Sequence, residues 1–151
     1  MMKRISLLIL PLLLAACSAG EKPRAAEFVP PAESTADFGD LRVHYNALPT
    51  LSLNDAVARE YGVAKDVKSA MVVIALRRVV NGEETGAEGR VSADAYDLQG
   101  QRQRIDFSTV KTGEYTDHIG TFTLHARDSY RFEVKVEAAG RREVVKFQRN
   151  F

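Results

Sequence analysis

Few residues of this sequence have the types and spacing that chemistry demands. Its three histidines are His44, His118 and His125. A metal site needs at least three converging ligands, usually with two of them at short spacing. His118 and His125 are seven positions apart, so a regular strand would hold them on opposite faces, and His44 is distant from both in sequence. Cys17 is the only cysteine, and Met71 is the only methionine beyond the first two residues. No metal and no cofactor is therefore expected. A hydrolase needs a nucleophile beside a base. Serines are present, but there is no nucleophile elbow, glycine-rich phosphate loop or dinucleotide fingerprint, so no catalytic residue is assigned and the chain is not expected to be an enzyme. Glu83-Glu84 follows Asn81-Gly82 and reads as a solvated turn, not an acid/base dyad. The cluster that stands out is His44-Tyr45-Asn46, with Thr50 just downstream. Two readings of it stay open. His44 and Asn46 bind backbone in a strand-to-helix loop, or they form with Thr50 a ligand or partner surface.

The single thiol has a clearer chemistry. Lys3 and Arg4 precede an apolar run from Ile5 to Ala16, interrupted only by Ser6 and Pro11, and Ala15 and Ala16 lead into Cys17. This is the three-part pattern of a secretory signal. The apolar run, about 12 residues, is short of the ~20 a bilayer-spanning helix needs. Leu14-Ala15-Ala16-Cys17 resembles a bacterial lipobox, in which a thiol accepts lipid and small residues admit the peptidase. Lipidation at Cys17 is expected, with several acyl chains giving stable anchorage where one would be marginal. Ser18 follows, and the absence of aspartate there favours the outer over the inner membrane. Export permits disulfides, but one cysteine cannot form one within the chain, so the fold must stand on its core. Removing Lys3 and Arg4 leaves 19 of the 21 basic residues against 20 acidic ones, a net charge of about −1. The signs are interspersed, which argues against nucleic acid as a partner.

The elements that must position these residues follow from periodicity. Residues 1–16 are the signal peptide and 17–36 the lipidated cysteine with a linker containing Pro23, Pro30 and Pro31. The folded domain is placed at 37–151. Leu41, Val43, Tyr45 and Ala47 alternate with Arg42, His44 and Asn46, a half-buried strand with His44 and Asn46 on the face opposite Tyr45. A short helix is predicted next, N-capped by Ser52 and stopped by Gly62. Ala70 to Val80 is almost continuously apolar and predicts a central strand buried on both faces. Further strands are predicted over Arg90–Leu98, Arg102–Val110 and Tyr115–Leu124. The last two flank Ala139-Gly140, with Phe132 opposite Phe147 and Val134 opposite Val145 on the core side. Seven strands with turns between them predict an all-β antiparallel sandwich with one short helix after the first strand.

Three stretches resemble a known bacterial family, DUF4426. They are Phe38-Gly39-Asp40 with Val43-His44-Tyr45-Asn46, Thr50 and Val57-Ala58-Arg59-Glu60-Tyr61-Gly62-Val63; the run Ser69 to Arg78; and Val145-Lys146-Phe147-Gln148-Arg149-Asn150-Phe151. The resemblance implies an exported, immunoglobulin-like β domain and no assigned activity. The expected role is a non-catalytic interaction domain, held by lipid on Cys17 at the periplasmic face of the envelope and docking another envelope protein. The alternative is a small-molecule or metal-binding protein using His44 and nearby loops. An enclosed polar pocket would favour the alternative, and a filled core the docking role.

Overall fold

The computed structural model describes residues 34–125 and 127–151. The expected signal peptide, Cys17 and most of the linker lie outside the described residues.

Two antiparallel sheets pack face to face. The first has the order β1-β2-β3-β8-β7, with β4 pairing the far end of β3. Its strands are β1 (Thr35–Phe38), β2 (Leu41–Pro49), β3 (Ser69–Val80), β4 (Glu83–Gly86), β7 (Phe107–Thr112) and β8 (Tyr115–Thr123). The second has the order β10-β9-β5-β6, formed by β5 (Gly89–Tyr96), β6 (Arg102–Ile105), β9 (Ser129–Ala138) and β10 (Arg141–Asn150). The expected all-β sandwich is thus present, with ten strands where periodicity predicted seven.

The additional strands have physical reasons. Glu83-Glu84, expected in a loop, belongs to β4: Asn81 and Gly82 both take positive φ (52° and 84°), so the chain folds back and pairs Val80 with Glu83. Thr35 and Ala36, expected in the linker, belong to β1, where Ala36 pairs with Val43. The single strand expected over 102–110 is two, because the chain crosses from the second sheet to the first at Asp106. At this crossing Ile105 and Asp106 press on β8 at Gly120, where any Cβ would collide with the Ile105 side chain.

Alternating side chains fill the space between the sheets. From the first sheet come Val43, Val72, Ile74, Leu76 and Phe122; from the second, Ile105, Tyr130, Phe132, Val134 and Val136, all buried. Strand β3 is largely buried on both faces from Ala70 to Leu76 but not to Val80 as expected: past Ala75 it runs beyond β8 and pairs the short β4 instead, and Val80 is 51% exposed. Its inner residues join that core, while Met71 packs outward with Leu53, Ala58 and Ile119. The cover on this outer face is the helix α1 (Asp55–Glu60). Its N-cap is Asn54, whose side chain accepts a hydrogen bond from Val57 N at 2.9 Å. The expected cap, Ser52, instead closes a 3-10 turn at Thr50–Ser52. Asn54 wins because its carbonyl is placed three residues ahead of an unsatisfied N–H of the first helical turn.

Candidate functional site on the outer face of the first sheet

Alternation along β2 puts Tyr45 inward, where it stacks on Phe147 with ring centroids 4.7 Å apart. The same alternation puts Arg42, His44 and Asn46 on the outer face. Opposite His44 and Asn46 on β3 stand Ala75 and Val73. These short side chains leave a cleft of about 150 Å³, lined by Ser34, His44, Tyr45, Asn46, Val73 and Ala75.

Beside this cleft the residues form a linked series of charges. His44 Nε2 lies 2.9 Å from Glu84 Oε2. The other Glu84 oxygen accepts from Arg42 Nη1 at 2.9 Å. Arg42 then grips Asp37 with two bonds, Nε to Oδ1 at 2.6 Å and Nη2 to Oδ2 at 2.9 Å. The hydrogen bond from Arg42 holds the Glu84 carboxyl below its ordinary range, with His44 adding to the effect. Arg42 does the same to Asp37, and is itself held more firmly protonated by both carboxylates. The hairpin at Asn81-Gly82 is what brings Glu84 to β2.

The arrangement positions charge without assembling a nucleophile. A carboxylate beside a histidine can orient a general base, but no hydroxyl among the described residues hydrogen-bonds to His44. His44 and Glu84 supply two ligand-type groups, and Arg42 holds the second carboxylate oxygen. Asn46 turns its Oδ1 back to accept from Ala47 N at 2.9 Å within its own strand, and His44 meets the Glu84 carboxylate, so among the described residues neither holds backbone of the strand-to-helix loop as one reading expected. Thr50 does not belong to the surface. It is wholly buried, and its hydroxyl accepts from Asp66 N at 2.9 Å while facing the carbonyls of Asp66 and Ser69 at 3.0 and 3.1 Å. It fastens the loop before β3, because a buried hydroxyl must find partners.

Further along this face, Arg77 Nη2 meets Asp117 Oδ1 at 3.0 Å, with both side chains only 12–13% exposed. The Arg77 guanidinium also lies 4.3 Å from the Tyr115 ring centroid. Tyr61, at the end of α1, has its hydroxyl pushed above the ordinary tyrosine value, first by burial and then by the Asp117 charge. This pair ties the helix to the sheet.

The three histidines do not converge. His44 and His118 lie in neighbouring cross-strand rows, but on opposite faces of the sheet. His118 is buried, with Nε2 3.2 Å from Gly89 O of the second sheet and no partner for Nδ1 among the described residues. His125 lies beyond the end of β8, its Nδ1 3.0 Å from the Tyr130 hydroxyl. Sequence reasoning placed His44 and Asn46 on the correct face but missed Arg42 and Glu84 as their neighbours. The Asn-Gly pair after an apolar strand was the available signal for a hairpin returning Glu84.

Residues 35–151 match the family DUF4426, described as a domain of unknown function. The crystal structure of a DUF4426 family protein from Pseudomonas aeruginosa PAO1 is similar, with a TM-score of 0.65 at 25% identity. The similarity covers 78% of this chain and 92% of that one. No curated protein matches the chain.

Proposed function

This chain belongs to the DUF4426 family, and from that premise we propose that it is a membrane-tethered, non-catalytic docking domain that binds another envelope protein through the face carrying His44 and Asn46. The observation that carries this reading is the cleft beside His44. At about 150 Å³ it is smaller than the ~300–1,000 Å³ of typical small-molecule sites, and it suits one protruding side chain of a partner. The charges next to it, of both signs, would set orientation and exclude wrong partners. The packed interior supports the same view, since the space between the sheets is occupied by Tyr130, Phe132, Ile74 and Leu76.

The tether completes the proposal. Lipid on Cys17 anchors the domain at the periplasmic face, in the outer membrane because Ser18 replaces the retention aspartate. The Pro-containing segment after it spaces the domain from the bilayer. Confinement near the membrane raises the effective concentration of a partner there, so a weak interface suffices.

The test is a double substitution. His44→Ala with Asn46→Ala should leave thermal unfolding close to wild type while abolishing co-purification of a specific envelope protein. Retention of that partner by the double variant would refute this face as the docking surface.

A further inference from the structure

The outer face of the second sheet lies across the sandwich from His44, and the fold gathers positive charge onto it. Alternation places Arg90 of β5, Arg131 and Lys135 of β9, and Arg142 and Lys146 of β10 on this face, because Val91, Phe132, Val134 and Val145 beside them point into the core. Pairing with Tyr96 and Asp94 adds Arg102 and Arg104 of β6. All seven cations are exposed. Within these strands three carboxylates share the face, Asp94, Glu133 and Glu137. The excess is four positive charges, on a chain whose net charge from Cys17 onward is about −1. The imbalance does not show along the sequence because it is assembled from four strands, of which the neighbours β5 and β9 are distant in the chain.

The charges are layered as well as unequal. Glu137 is shared by Arg90 and Arg142 at 3.1 and 3.3 Å, and its side chain is 40% exposed against 88% and 85% for theirs. Lys146 stands over the half-buried Glu133 at 3.3 Å in the same way, and Arg102 over the buried Asp94 at 2.9 Å. Each carboxylate is thus tucked beneath a cation that reaches further into solvent. At the centre of the sheet Arg131 and Lys135 have no carboxylate partner among the described residues. Lys135 sits between Val144 and Ser92, and Arg131 between Gln148 and Tyr96.

We infer that this face docks on the anionic headgroups of a phospholipid bilayer. Cations that project beyond their carboxylates meet lipid phosphates without first giving up their own ion pairs, and arginine holds a phosphate through two parallel bonds. The attraction sums over the cations within a Debye length of the surface, with the unpaired Arg131 and Lys135 at its centre. A specific protein partner would need a desolvated apolar core to the interface. The large apolar side chain that this face exposes is Val144 alone among the described residues. The choice of a bilayer over an acidic polypeptide rests on the tether proposed above, which keeps the domain within reach of headgroups. With the second sheet against the bilayer, His44 on the first sheet faces away from it and stays open to a partner.

The experiment takes the chain from residue 17 onward, carrying Cys17→Ser so that no acyl chain contributes, and measures its co-sedimentation with vesicles of phosphatidylglycerol and phosphatidylcholine. The expected result is binding at ~50 mM salt that is lost by ~0.5 M and does not occur on vesicles of phosphatidylcholine alone. Arg131→Gln with Lys135→Gln should weaken binding by ~10-fold or more while leaving thermal unfolding close to wild type. Arg59→Gln with Lys68→Gln, an equal loss of charge away from this face, should bind as wild type, as should His44→Ala with Asn46→Ala. No binding to the anionic vesicles, equal binding to both kinds, or undiminished binding by the Arg131 and Lys135 variant would each overturn the assignment. Tighter binding to soluble polyglutamate than to the vesicles would also overturn it and give the face to an acidic protein instead. None of these outcomes bears on lipid attachment at Cys17 or on docking through His44.

Discussion

Phe132 and Phe147 are direct partners across the last hairpin, their rings stacked with centroids 4.7 Å apart and planes inclined by 18°. The stack continues to Tyr45 of the first sheet, so it joins an edge strand of one sheet to the core of the sandwich. Phe132 is 2% exposed, whereas Phe147 is only partly buried. Phe132→Ala should therefore cost about 3–5 kcal/mol and Phe147→Ala less, about 1–3 kcal/mol. Denaturant unfolding of both variants checks this. Equal costs would mean that Phe147 is as deeply packed as its partner.

The turn closing that hairpin stores a small strain. Ala139 has φ 51° and Gly140 φ 73°, the pattern of a two-residue turn with both central residues left-handed. Glycine accepts this conformation without the penalty that a Cβ brings. Ala139→Gly should stabilise the protein by about 0.5–1 kcal/mol despite glycine's greater freedom in the unfolded chain. A lowered unfolding temperature in the variant would contradict the turn geometry.

Removing one member of the Arg77–Asp117 pair leaves a largely buried charge alone. Asp117→Ala should cost about 3 kcal/mol, the lower end for a broken buried pair, and should loosen α1 because Tyr61 loses a neighbour. Urea unfolding measures the first effect, and hydrogen exchange over residues 55–60 the second. A cost below ~1 kcal/mol would match a solvent-screened surface pair instead.

The depressed Glu84 carboxyl gives a pH signature. The folded protein holds this group below its ordinary value of 4.5, so the unfolded state takes up the proton first on acidification. The stability advantage of wild type over Glu84→Gln should be complete above that value. It should disappear as pH falls through the lowered folded value. Unfolding temperatures of both proteins across the acid range provide the check. An advantage that persists unchanged in strong acid would contradict the Arg42–Glu84–His44 linkage.

Much of the sandwich was legible because alternation is a local property. The β2, β9 and β10 patterns fixed which residues face inward, and the turn at Ala139-Gly140 fixed the register of Phe132 against Phe147. What escaped was structure made by pairing alone. Strands β1 and β4 are four residues each, too short for a periodic pattern to declare itself, and are strands because a turn lays them on a neighbour. The break at Asp106 was invisible because Ile105 and Phe107 read as one apolar alternation, although they belong to different sheets.

The site divides in the same way. The outward placement of His44 and Asn46 was local and readable. The link from His44 to Glu84 spans 40 residues and follows from the hairpin. Thr50 looked like a surface group because composition does not reveal that a hydroxyl has backbone partners waiting inside.

The docking face is tested most directly by placing a photo-crosslinking amino acid at Asn46 in cells and comparing it with the same probe at Lys135, exposed on the outer face of the second sheet. The expected result is a discrete adduct to one envelope protein from position 46, lost when His44→Ala is added, and none from position 135. No adduct at position 46, or the same adduct from both positions, would contradict docking through the His44 face.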